Sequence, residues 1–202
     1  MFVGFFLSVM MASCHHAEKK ESNWNNETGN FSIPELNLSY EVPTDVKQWA
    51  IANPDSLPEE IKFFGIDRLS GVMVAVSQPK VNITSIQDLD SISVIKLAVD
   101  MVGQYPGDHL AYIHNSAHQD EFQGEKAMKF TSYLGVKNGN DTVRILNEGY
   151  FFSVNDKITG ILVTSQQNDS TESVSLSPYL EALRMDKTKK HVNSPKHSSK
   201  ML

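Results

Sequence analysis

The stretch HLAYIHNSAHQDE, residues 109–121, crowds three histidines (His109, His114, His118) against Asp120 and Glu121. Imidazoles and carboxylates together are the ligands of zinc and its relatives. On a helix, His114 and His118 would lie four apart on one face and would share an ion. On a strand, four residues span about 13 Å, too far for one metal. Leu110 to His114 reads as a strand, so this pair is expected to be polar surface and not a metal centre. His15-His16, and His191 with His197, fall in polar terminal segments where gathering an ion would cost chain-ordering entropy. The aromatic residues Trp49, Phe63, Phe64, Tyr150, Phe151 and Phe152 are either the lining of a ligand groove or core, with core the expected role. There is no Gly-x-Ser-x-Gly elbow, no His-Glu-x-x-His and no phosphate loop. The expectation is a non-enzyme without cofactor; the alternative is a small-ligand or metal site, hydrolytic in use.

The single cysteine has a different chemistry. Cys14 stands in VMMASCHHAEKKES, where an apolar run becomes charged. Residues Met1 to Ser13 are almost wholly apolar and end in the small pair Ala12-Ser13, the layout of a signal-peptide core and processing site. A spanning helix needs roughly 20 apolar residues, and this run is shorter. The segment Met11-Ala12-Ser13-Cys14 resembles a bacterial lipobox. In that motif the cysteine sulfur receives a diacylglycerol, the preceding peptide is removed, and the new amino terminus is acylated with a chain such as palmitate. Two or more acyl chains hold a protein stably at a membrane, each buried methylene contributing about 0.8 kcal/mol. The implied location is the cell envelope, lipid-anchored, at the outer membrane of a Gram-negative bacterium. Signal peptides open with Lys or Arg, which Met1 to Ser13 lacks, so translation is expected to start upstream of Met1. With one cysteine no disulfide forms within the chain, and stability must come from the core.

Charge and composition divide the remainder of the chain into three parts. Residues 14–30 are polar around a lone Trp24 and read as a flexible tether. Residues 31–185 are the right size for one domain. Residues 186–202 carry five lysines and a proline and read as a disordered tail. The chain is −6 overall; five lysines against Asp186 give the tail +4, which leaves −10 for residues 1–185. An acidic body excludes nucleic acid as a partner, since that demands a basic patch. Four triplets, beginning at Asp55, Asp90, Asp141 and Asp169, match a short acceptor motif for O-glycosylation, and Ser170 sits in the most open setting.

The elements that must position these groups come from hydrophobic period. Leu36, Leu38, Tyr40 and Val42 alternate and stop at Pro43, which makes a strand. Ile61 to Ile66 and Val72 to Val76 make two more. From Asp90 to Gly103 the period changes: Ile92, Ile95, Val99 and Val102 lie three or four apart, with Asp90 or Ser91 as cap, which predicts a helix. Met128, Phe130, Leu134 and Val136 alternate again, Asn138-Gly139 suits a tight hairpin, and Val143 to Val154 forms a strand kinked at Gly149. A turn at Asn155-Asp156-Lys157 leads into Ile158 to Thr164, apolar on both faces and therefore covered on both. Ser177-Pro178 opens a closing helix that runs to Met185.

This order, with GEKAMKFTSYLGVKNGNDTVRILNEGYFFSVNDKITGILVTS from Gly124 to Ser165 and SPYLEALRM from Ser177 to Met185, resembles the PsbP-like fold over Phe31 to Met185. That family includes a photosystem extrinsic subunit, a Ran-binding nuclear import factor and many small bacterial lipoproteins. The resemblance implies an α+β domain in which helices cover both faces of an antiparallel sheet, an α/β/α sandwich. It also implies a non-catalytic binding or assembly subunit with a protein partner, tethered by lipid at Cys14.

Overall fold

Three tight turns in succession shape the longest part of the chain. In the computed structural model, which describes residues 24–25, 27–83, 85–102, 110–139, 141–167 and 174–186, four long strands follow one another as a meander. They are β7 (Leu110–Phe122), β8 (Glu125–Asn138), β9 (Asp141–Val154) and β10 (Lys157–Gln167). Phe122 pairs with Glu125 around Gln123-Gly124, whose φ angles are 52° and 78°. Val154 pairs with Lys157 around Asn155-Asp156, at 51° and 57°. Positive φ at both central residues matches the twist of the flanking strands, which favours Gly, Asn and Asp there, and Gln123 is the exception. Asn138 pairs with Asp141 and so belongs to β8, not to the turn that Asn138-Gly139 suggests, while Gly139 has φ 63°.

β10 then pairs with β6 (Met73–Ser77), followed outward by β5 (Ile61–Asp67) and β4 (Trp49–Ile51), completing a seven-stranded antiparallel sheet in the order β4-β5-β6-β10-β9-β8-β7. A second antiparallel sheet joins β1 (Trp24–Asn25), β2 (Asn30–Ile33), β3 (Leu38–Glu41) and β11 (Leu183–Met185), in that order. Among the described residues, strand pairing begins with Trp24 opposite Phe31.

The α/β/α sandwich is not what forms. Among the described residues there are two α-helices, α1 (Ser91–Val102) and α2 (Ser177–Glu181), and only α1 is long. One face of the large sheet carries α1, where Val94, Leu97 and Ala98 pack on Met128, Phe130, Phe151, Ile158 and Leu162. The opposite face carries the second sheet and α2. Phe31, Tyr40 and Leu183 pack there on Phe63, Val74, Phe152, Ile161 and Val163. Phe63 is the hinge of this layer, with ring centroids 4.9 Å from Phe31 and 4.7 Å from Tyr40. The closing segment ends its helix at Glu181 because Leu183 and Met185 pair with Tyr40 and Leu38. A single turn of helix is marginal on its own, and strand pairing over a buried face outweighs it.

Ile158 to Thr164 is buried at every position, as a strand covered on both faces requires. Leu36, Leu38, Tyr40 and Val42 are all buried, though Leu36 belongs to a short 3-10 turn, Pro34–Leu36, ahead of β3. Pairing of β9 runs unbroken through Gly149, which faces Phe130 on one side and Leu162 on the other. Its lack of a side chain serves close approach instead: a Cβ there would lie 2.4 Å from the carbonyl oxygen of Ile161. In α1, Asp90 Oδ1 accepts from the Ser93 amide at 2.7 Å and caps the helix. The buried face of α1 is Val94, Leu97 and Ala98, while Ile92 is 78% exposed.

Candidate functional site

The described residues include four sheet edges, and three of them are two- or three-residue strands: β1, β4 and β11. Short edges are how proteins blunt a row of unpaired amides and carbonyls. The fourth edge, β7, is 13 residues long and contains no proline. Ala117 packs towards α1, and Ser91 Oγ donates to its carbonyl at 2.9 Å. Because side chains alternate along a strand, His114, Ser116, His118 and Asp120 project from the other face, and all four are exposed.

On that face the register builds rows across three strands. His114 lies beside Tyr133 and then Leu146; Ser116 beside Thr131 and Glu148; His118 beside Lys129 and Tyr150. Tyr133 is 48% exposed, and Ile113, on the α1 side of the same ribbon, is 51% exposed. Lys129 Nζ sits 5.8 Å from the centre of the Tyr150 ring, within cation–π reach. The Tyr150 hydroxyl donates to Asp120 Oδ2 at 3.4 Å, and Asp120 Oδ1 accepts from the Glu121 amide at 2.8 Å. Burial raises the Tyr150 phenol above its ordinary value; the Lys129 charge works against this and the Asp120 charge adds to it. The result is a strip rich in donors, acceptors and half-exposed aromatic surface, suited to pairing or docking.

His114 and His118 stand on one face of a strand, as the sequence leads one to expect, and are held apart by strand geometry. His109, Cys14, His15, His16, His191, His197 and Ser170 lie outside the described residues. The six aromatic residues do not gather into a groove. Trp49, Phe63, Phe151 and Phe152 are buried, and Phe151 and Phe152 face opposite layers.

Other polar groupings had no spacing signal in the sequence. Buried Asp67 accepts from Tyr179, Thr44 and the Leu69 amide. Asn115, Ser132, Asn147 and Thr164 form one row across four strands under the α1 side, Thr164 Oγ1 donating to Asn147 Oδ1 at 2.7 Å. An open depression of about 310 Å³ lies between β2 and the loop before β5, lined by Phe31, Ser32, Glu35, Pro54, Glu59 and Lys62. At its rim Lys80 pairs with Glu59 at 2.7 Å and Glu60 at 3.1 Å, an exposed pairing of small energetic worth.

No family model and no curated protein matches this chain. Among solved structures, the solution structure of cyanobacterial PsbP (CyanoP) from Synechocystis sp. PCC 6803 is similar to it, with a TM-score of 0.45 and 12% identity over 77% of this chain and 86% of that chain.

Proposed function

We propose that this chain is a non-catalytic binding or assembly subunit of the bacterial cell envelope, tethered by acyl chains on Cys14, with the β7 edge ribbon as its docking surface. The observation that carries this reading is the contrast among the four edges of the described residues: three have two or three residues while β7 offers 13. A long edge is a liability unless it is paired, charged or covered, and among the described residues no strand pairs with β7 on its outer side. Added strands gain affinity from main-chain hydrogen bonds and specificity from alternate side chains. On β7 and β8 those side chains are His114, His118, Asp120, Lys129 and Tyr133, of which the half-exposed tyrosine is a type that interfaces favour.

Two measurements test the two halves of the proposal. Palmitate-analogue labelling with membrane fractionation should show wild type acylated and membrane-bound, and Cys14→Ser unlabelled and released. Equal labelling of the variant overturns the tether. Cross-linking in intact membranes should trap a stoichiometric partner through photoreactive residues placed at Ser116 or Tyr133. Trapping only from the opposite edge, at Ala50, overturns the assignment of the surface.

A further inference from the structure

We infer that the partner of β7 is a second copy of this chain, the two strands pairing antiparallel about a twofold axis at Ala117. This rests on the reading of β7 as a docking edge and goes beyond it by naming the occupant. In an antiparallel pair related by a twofold axis, residues equally far from the axis on either side face each other. With the axis at Ala117, His114 of one copy faces Asp120 of the other, and the symmetry makes this contact twice. An imidazole N–H donates to a carboxylate whether or not the ring is charged, and the pair strengthens when it is.

The neighbouring rungs agree. Asn115 meets Gln119, amide against amide, and Ser116 meets His118, hydroxyl against imidazole. Ala117 meets itself, the position where a bulky or charged residue would clash with its own copy; its carbonyl already accepts from Ser91 Oγ at 2.9 Å and keeps a second lone pair for a partner's amide. Moving the axis by one residue, to Ser116, would place His114 against His118 and strand Asp120 opposite Tyr112, losing both complementary contacts. Asp120 has capacity for the new donor: its oxygens carry one amide bond at 2.8 Å and one long phenol contact at 3.4 Å, against about four acceptor positions on a carboxylate. His114, Ser116, His118 and Asp120 are all exposed in the single chain. Dimerisation would join two seven-stranded sheets into one continuous sheet and remove the long edge from both copies.

The test is sedimentation equilibrium of the full chain in density-matched detergent. Wild type should show a concentration-dependent monomer–dimer equilibrium. Asp120→Lys, which sets a cation against His114, should weaken dimerisation by about tenfold or more. His114→Asp combined with Asp120→His exchanges the partners and should restore it to near wild type, while His114→Asp alone should not. Thermal unfolding by circular dichroism, run at a dilution where wild type is monomeric and expected to change little in each variant because these side chains are exposed, separates loss of pairing from loss of fold. A chain that stays monomeric at every concentration overturns the inference, and so does a dimer indifferent to Asp120→Lys. If the chain is monomeric yet a different protein is trapped from Ser116, the homodimer is wrong and the docking edge stands; if nothing is trapped from β7 either, both fail.

Discussion

Tyr179 donates its phenol to Asp67 Oδ2 across 2.8 Å, joining the closing helix α2 to the last residue of β5. The contact is one of a set. Ser70 Oγ lies 3.0 Å from the same phenol oxygen, Thr44 Oγ1 donates to Asp67 Oδ2 at 3.2 Å, and Trp49 Nε1 donates to Thr44 Oγ1 at 2.8 Å. The Leu69 amide completes the other carboxylate oxygen at 3.0 Å. These bonds lock the end of the large sheet to the layer that covers it. A buried charge is tolerated only when donors surround it, and here they do.

Burial acts to raise the Asp67 carboxyl, but hydrogen bonds from Tyr179, the Leu69 amide and Ser70 outweigh it and hold the group below the usual carboxylate range. A depressed native value means that the stabilisation is present above the unfolded value, near pH 4, and is lost as pH falls through the native one. Melting measured from neutral pH downwards should therefore show wild type losing stability across the acid range, and Asp67→Asn losing less of it. Tyr179→Phe, which leaves the carboxylate short of a donor, should destabilise by about 1–3 kcal/mol at neutral pH. Indifference to both substitutions would mean that the lock holds nothing.

Tyr40 tests the opposite sign. Its ring is fully buried between Phe63 and Trp49, and its hydroxyl has no hydrogen-bond partner among the described residues. Burial raises its phenol far above the ordinary value, and the phenol of Tyr179 and the charge of Asp67 add to this. A raised native value gives stabilisation that is complete below the unfolded value, near pH 10, and lost as pH rises beyond it. Tyr40→Phe removes an unsatisfied polar group from the core, so it should be neutral or stabilising by up to about 1 kcal/mol. Alkaline unfolding followed by circular dichroism should also move to higher pH in the variant. Destabilisation by Tyr40→Phe would show that the hydroxyl is bonded after all.

Two glycines separate crowding from backbone conformation. At Gly149 a Cβ would meet the Ile161 carbonyl oxygen at 2.4 Å and the Leu162 Cα at 3.3 Å, backbone atoms that cannot swing aside. At Gly139 a Cβ would meet nothing within 4 Å, but φ is 63°. Gly149→Ala should cost about 3 kcal/mol, at the upper end of overpacking in a core. Gly139→Ala should cost about 1 kcal/mol, the strain of a left-handed alanine. Denaturant unfolding of the two variants should preserve this order.

The strong periodic signals and the weak ones fared differently, for a physical reason. β10 could be read as doubly covered because Ile158, Ile161, Leu162 and Val163 put aliphatic side chains on both faces, and the Asn155-Asp156 turn because only a few residue types tolerate its angles. Of the second sheet only β3 was legible, through the alternation of Leu38, Tyr40 and Val42; β1, β2 and β11 have two to four residues each, too few for alternation to stand out. β11 wears a helical spacing, Leu180 to Leu183, that only pairing with β3 overrides. The candidate site was half legible: the residue types around His114 stood out, whereas the place of β7 at the end of the described strand order depends on pairings between distant segments. The Asp67 cluster draws on Thr44, Trp49, Ser70 and Tyr179, whose positions share no spacing that a one-dimensional pattern can reveal.

The buried stripe of α1 gives the sharpest contrast between sequence and structure. In SISVIKLAVDMV nearly every helical face carries an aliphatic residue, so period alone allows Ile92, Ile95 and Val99 as the inward set. What decides is the surface beneath: Leu162, Phe151 and Phe130 receive Val94, Leu97 and Ala98, which leaves Ile92 pointing out at 78% exposure while Leu162 is 2% exposed. Leu162→Asp puts an unpaired carboxylate between α1 and the sheet, a cost of several kcal/mol that should leave the protein unfolded. Ile92→Asp adds a carboxylate in the first turn of a helix, where the N-terminal partial charge favours it, and should stay within about 0.5 kcal/mol of wild type. Far-ultraviolet circular dichroism and urea unfolding of both variants measure this directly. If Ile92→Asp unfolds the protein while Leu162→Asp is tolerated, α1 faces the sheet with the stripe that its period first suggests, and the packing of this layer is wrong.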